Sequence, residues 1–242
     1  MTTRNLYRKL IQSTILLALS SCTVYTPLQP TISTVRQQGQ VEVTGSVQAT
    51  GRLESSVVYS PLPHTLVTAA GSFRPKLGDS TFSTTRQWEA GVGGYLPLGP
   101  QWLLTGIGGY GYGYNHRAYV TLPFIFKGDW YEYQARYRKA FGQISVSHEK
   151  WLHSFGAVYR LSSVRYDELK YTAEYDNNPM TLQLRNTLRH EFLAFYRVDI
   201  DKQRRWQFQA TTGLSLDPDR QRKAPASDDY RNPDRFRLEQ EN

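Results

Sequence analysis

The 242-residue sequence predicts an all-β protein: an antiparallel up-and-down β-barrel of about 8–10 strands, preceded by an export leader and followed by a charged tail. Three observations carry this expectation. From Gln40 to Leu216 apolar residues recur at period two, which is the pattern of strands with one dry and one wet face. The connections between those strands alternate between tight and long. Trp102, Trp151 and Trp206 each stand at the start of a strand, directly after a tight turn.

The leader comes first. Arg4, Arg8 and Lys9 precede a mostly apolar run from Leu10 to Leu19, which closes on Ser20-Ser21-Cys22. A basic start, an apolar middle and small residues before the cut mark a secretory signal over residues 1–21 rather than a membrane span. Its loss removes three basic residues and lowers the net charge from +8 to +5. About 220 residues then remain, enough for one domain or one barrel. Export excludes nucleic acid as a partner, and a mild basic excess suits an anionic lipid surface. Cys22 is the one cysteine, so no disulfide is available to staple the fold. After Cys22 no run approaches the roughly 18 apolar residues of a spanning helix, so any insertion into a membrane must use strands.

Residues 22–39 contain Pro27 and Pro30 with few apolar repeats and read as a tether. The barrel is expected over 40–216. Val41, Val43, Gly45 and Val47 share a face in the first strand, opposite Glu42, Thr44 and Ser46. The next strands are expected over 53–60, 65–73, 86–97, 102–115, 133–148, 151–167, 187–200 and 205–216. Turns at 61–64, 98–101, 149–150 and 201–204 are tight, whereas the links at 74–85, 116–132 and 168–186 are long and polar. Loop length sorted by side is characteristic of outer-membrane barrels. The three tryptophans then fall at one end, where an indole suits a membrane–water boundary, and Tyr110, Tyr112 and Tyr114 supply aromatics at the other. Nine strands are readable, and an antiparallel barrel closes with an even number. Either a weak tenth near Tyr230–Leu238 completes it, or the short first strand lies outside an eight-stranded barrel. Residues 217–242 carry seven acidic and six basic residues with Pro218, Pro225 and Pro233, and are expected to be largely disordered.

Period alone does not say which face is outside. If the apolar faces meet lipid, Glu42, Glu54, Glu89, Arg160, Arg189, Glu191 and Arg197 point inward. Opposite charges there can pair, and a barrel of about 8 strands is narrow enough to be filled by its own side chains. Glu89, Arg160, Arg189, Glu191 and Arg197 are the candidate lumen network. A narrow charged conduit is the alternative. If the polar faces are outside, the chain is a lipocalin-like barrel, held to the membrane by lipid alone, with an apolar ligand within.

Chemistry is weakly signalled. Gly106–Gly111 matches G-x-G-x-x-G, but the alternating pattern continues through Tyr112 and Tyr114 with no helix to meet a phosphate, so no cofactor is expected. His148 and His153 could face each other across a hairpin, yet two imidazoles do not close a metal site. No serine sits in a G-x-S-x-G elbow, which leaves no catalytic residue to nominate for a lipid-modifying enzyme.

Leu19-Ser20-Ser21-Cys22 resembles the lipobox of bacterial lipoproteins, which implies a covalent lipid on Cys22. With Tyr59-Ser60-Pro61 and the glycine–aromatic stretch from Gly91-Val92-Gly93-Gly94-Tyr95 through Gly113-Tyr114, the mature chain resembles the small outer-membrane β-barrel lipoproteins of Gram-negative bacteria. The resemblance implies location and fold: an anchor in the cell outer membrane, outer-membrane lipid as partner, and a non-enzymatic structural role or one carried by the long loops. It brings no catalytic residues. The chain departs from the pattern at its end, Leu238-Glu239-Gln240-Glu241-Asn242, where such barrels usually finish in an aromatic.

Overall fold

A computed structural model of the chain describes residues 25–48, 50–78, 81–120, 130–173, 176–181, 186–201 and 206–218. Cys22, the leader and the tail beyond 218 lie outside the described residues. The fold is all-β: β1 (Val41–Val47), β2 (Leu53–Tyr59), β3 (Thr65–Arg74), β4 (Phe82–Leu98), β5 (Trp102–Val120), β6 (Trp130–Lys150), β7 (His153–Ala173), β8 (Asp176–Thr181), β9 (Thr187–Asp199) and β10 (Gln207–Leu216). They form a single antiparallel sheet in the order β1-β2-β3-β4-β5-β6-β7-β9-β10, with the short β8 beside β7. The sheet curls into a half-barrel whose first and last strands do not pair.

The turns after β2, β4, β6 and β9 gather at one end, here the turn end. The opposite end is longer than the sequence predicts. The links expected at 74–85, 116–132 and 168–186 are partly strand, because β5 and β6 continue as a paired ladder to Val120 and Trp130, and β7 runs on to Ala173. Beyond the row of Arg86, Tyr114, Arg136 and Glu168 polar and aromatic residues mix with buried Phe82, Ala118, Ala135 and Leu169, so alternation fades while backbone pairing continues. Tyr119, Tyr131, Tyr133 and Tyr171 pack together there, with centroids between 5.0 and 6.1 Å apart.

Register sorts the side chains. Leu188, Phe192 and Tyr196 of β9 face outward, as do Val146, Ile144 and Ala140 of β6 and Phe155, Ala157 and Leu161 of β7. Arg160, Lys139, Glu89, Arg197 and Glu191 face inward and are buried. Inward glycines make room for inward rings: a Cβ on Gly113 would meet the Tyr137 ring at 2.2 Å, and one on Gly109 the Phe141 ring at 2.6 Å. The glycine run of β5 therefore serves packing in a continuous strand.

Candidate functional site

The largest departure from the sequence reading is the position of residues 25–36. The segment expected as a tether runs down the inside of the curled sheet, from Tyr25 at the far end to Arg36 at the turn end. Four of its apolar side chains are buried. Tyr25 packs with Tyr137 and Val164, Ile32 with Val158 and Phe195, and Val35 with Val58, Leu66, Leu103 and Phe141, while Leu28 is also buried.

Its backbone is captured by side chains of the wall. Gln87 donates to the carbonyl of Thr26 at 2.7 Å, Arg52 to that of Pro27 at 2.7 Å, and Arg160 to that of Leu28 at 3.4 Å. Gln143 donates to Thr31 O at 2.7 Å and Arg197 to Ile32 O at 2.9 Å. Pro27 and Pro30 have no N–H. An extended segment poor in donors leaves carbonyls that long Arg and Gln side chains can satisfy, which is what keeps a non-strand backbone stable inside the protein.

Arg160 is the centre of this arrangement and is fully buried. Its guanidinium donates from Nη1 to Glu89 Oε2 at 3.2 Å, from Nη2 to Glu89 Oε1 at 3.1 Å, and from Nε and Nη2 to Gln143 Oε1 at 3.2 and 2.7 Å. With Leu28 O these contacts engage every nitrogen of its donor fork. Lys139 Nζ adds a second cation 2.6 Å from Glu89. Arg197 is a second centre, donating to Glu42 at 2.7 Å, to Thr34 Oγ1 at 3.3 Å and, from Nε, to Gln209. Glu191 accepts from the Tyr25 hydroxyl at 3.0 Å, and Arg189 pairs with Asp217 at 3.3 Å. Of the five residues of the expected lumen network, only Glu89 and Arg160 touch directly. The others reach separate partners, and residues 25–36 connect the groups. Sequence reasoning missed Arg52, Lys139, Gln143 and the interior segment itself. The readable signal was a proline-bearing stretch with spaced Tyr25, Leu28, Ile32 and Val35 preceding strands rich in inward donors.

The outer wall is the complement. Between Trp88 and Leu98 on β4, Ala140 and His148 on β6, and His153 and Ser163 on β7, no outward side chain is Asp, Glu, Lys or Arg. Ten residue steps at about 3.3 Å, tilted by about 40°, span about 25 Å, the height of a lipid-facing band. Above it charges begin together. Arg86, Tyr114, Arg136 and Glu168 lie in one paired row across β4–β7. Arg138 reaches Asp167 from Nε at 2.9 Å, and the ladder shifts register between Arg136 and Tyr137. This charged row is the collar.

Trp102, Trp151 and Trp206 all sit at the turn end and are exposed, Trp151 at 84%. Trp151 has φ of 57°, a left-handed conformation that costs a bulky residue about 1–2 kcal/mol. A glycine or asparagine would avoid that cost. Tyr110, Tyr112 and Tyr114 border the collar, with the Arg136 guanidinium 5.9 Å from the Tyr114 centroid.

The histidines do not share a site. His148 bonds Gln101 at 3.1 Å and His153 bonds the Tyr196 hydroxyl at 2.8 Å; His64, His116 and His190 engage Tyr95 O, Glu132 and Tyr159 respectively. Among the described residues no group of three His, Cys, Asp or Glu could hold a metal ion. Comparison of the chain with protein-family models, curated proteins and solved structures gives no match.

Proposed function

We propose that the protein is a non-enzymatic outer-membrane β-barrel lipoprotein, anchored also by lipid on Cys22, whose filled interior closes it to solutes and whose extended collar-end hairpins carry its interactions. The observation that supports this most is the outer wall, a band about 25 Å high without outward charge, backed by an inner face of buried ion pairs. Such an arrangement is stable where the surroundings are apolar, since burying that wall in lipid returns free energy in proportion to its area. The tryptophans at one rim and the tyrosines at the other fit the two interfaces. A soluble lipocalin-like barrel needs an apolar interior open to a ligand, whereas here the inner face is charged and occupied by residues 25–36.

A Cys22→Ala variant exported by an ordinary cleavable leader is expected to stay with the membrane fraction, because the wall holds it there without the lipid. Full release to the soluble periplasmic fraction would defeat the membrane-barrel reading. In planar bilayers the unmodified protein is expected to show no steady conductance; stable, ion-selective openings would make it a pore instead.

A further inference from the structure

The concave face at the collar end carries positive charge that the wall network does not neutralise. A cleft of about 1990 Å³ runs inside the curled sheet, and Arg52, Arg74 and Arg117 all line it. The ladder sets them close together. Leu53 pairs with Phe73, which places Arg52 and Arg74 opposite each other at the next position. Arg74 pairs with Thr85 and Thr85 with Asn115, and Arg117 is the next inward residue beyond Asn115 on β5. Arg52 is 3% exposed; its Nη2 donates to Pro27 O at 2.7 Å and pairs with Glu54, while its Nε and Nη1 have no hydrogen-bond partner among the described residues. Arg74 and Arg117 are half-buried, and neither has a carboxylate partner among the described residues. Burial, and after it the charges of Arg117 and Arg52, hold the Arg74 guanidinium below its ordinary pKa. The Arg117 guanidinium lies 5.3 Å from the Tyr119 centroid, and Tyr119 is parallel to Tyr133, so this cation is positioned without being neutralised. Thr85 donates to Asn115 Oδ1 at 3.2 Å and Asn115 to Thr26 Oγ1 at 3.3 Å, which gives the mouth a polar floor. The two carboxylates that line the cleft among the described residues are engaged elsewhere, Glu42 by Arg197 at 2.7 Å and Glu191 by the Tyr25 hydroxyl at 3.0 Å.

We propose that Arg74 and Arg117 form a binding site for a phosphate monoester at the collar-end mouth of this cleft, with Arg52 as a fixed positive charge behind them. This gives a ligand class to the collar end, and it rests on the reading of that end as the one that carries the protein's interactions. Two guanidiniums without a counter-charge match the nearly two negative charges of a phosphate monoester, whereas a carboxylate would satisfy only one of them. Each guanidinium presents a planar fork of N–H donors that fits phosphate oxygens in pairs. A dianion seated between them also relieves the repulsion among Arg52, Arg74 and Arg117. The same group comes from two sources, a small soluble ester or a lipid headgroup. Phe73, next to Arg74, pairs with Arg86 of the charged row, so the mouth lies where the uncharged band ends.

The test is titration calorimetry on the full chain in neutral detergent at low salt, with inorganic phosphate, glucose 1-phosphate, dihexanoyl phosphatidic acid and acetate as probes. The phosphate probes are expected to bind, and acetate to bind at least about tenfold more weakly. Arg74→Gln and Arg117→Gln are each expected to weaken phosphate binding about tenfold. Arg86→Gln, an outward arginine of the same end, is expected to leave it unchanged. Thermal unfolding of each variant at the wild-type midpoint separates loss of the site from loss of the fold. Tighter binding of glucose 1-phosphate assigns a soluble ester, and tighter binding of the phosphatidic acid assigns a headgroup. No binding of any phosphate probe, acetate binding as well as phosphate, or an equal loss in Arg86→Gln overturns the site while leaving the membrane reading in place. Phosphate binding lost in Arg74→Gln and Arg117→Gln, by a protein that fractionates as soluble, supports the site and defeats the membrane reading.

Discussion

The turn-end and collar-end halves of β4–β7 are one continuous ladder obeying two chemistries. Toward the turns, outward residues are apolar and inward ones charged, so sequence alternation is strong. Above the row of Arg86, Tyr114, Arg136 and Glu168 the backbone still pairs, but polar and aromatic residues occupy both faces. Alternation therefore reports the surroundings of a strand and not its pairing. A wall with one apolar and one polar face must alternate, whereas a hairpin with polar and apolar residues mixed on both sides need not.

The comparison breaks most severely from inside. Arg160→Met removes the group that holds Glu89, Gln143 and Leu28 O, and leaves the Glu89 carboxylate buried with Lys139 as its remaining cation. A loss of about 3–5 kcal/mol is expected by urea unfolding in detergent followed by tryptophan fluorescence, with partial recovery when Glu89→Gln is added. A loss below about 1 kcal/mol would show that the buried pairs do not hold the interior segment.

An added charge on the outer face sharpens the contrast. Ile144→Arg lies outward in the band and is expected to cost about 2–4 kcal/mol in lipid vesicles, while Gln134→Arg, beyond the collar on the same strand, should cost about 0–1. Equal costs at the two positions would remove the physical distinction between the halves. The smallest effect belongs to the collar itself. Arg138 is paired with Asp167 in solvent, so Arg138→Ala should leave the unfolding midpoint unchanged within error.

The same contrast explains what was legible. Strand order and the tryptophan end follow from period two, and the turns after β2 and β4 from Pro61, Pro63, Gly99 and Pro100, because each is local; the turn expected at 149–150 lies instead at Trp151 and Leu152, between β6 and β7. Strand ends at the collar extend past what the sequence predicts: beyond Asn115 and before Tyr133 alternation no longer marks a face, although Tyr119 pairs Tyr131 in the ladder. Residues 25–36 look like a tether in sequence because their structure is neither helix nor strand and their backbone accepts hydrogen bonds from residues up to 165 positions away, as with Arg197 and Ile32. Nothing local in Pro27 or Pro30 announces partners so distant. For Arg160 the inward direction was readable from spacing, but its five-way bonding depended on where that segment lies.

The route of residues 25–36 also bears on the order of biogenesis. The segment enters the interior at the collar end, with Tyr25 against Tyr137 at a centroid distance of 5.3 Å. A sheet that had already curled would have to be threaded by this segment. The simpler sequence is that residues 25–36 lie in place while the sheet curls around them, since the carbonyls of Thr26, Pro27, Leu28, Thr31 and Ile32 all bond side chains of the wall.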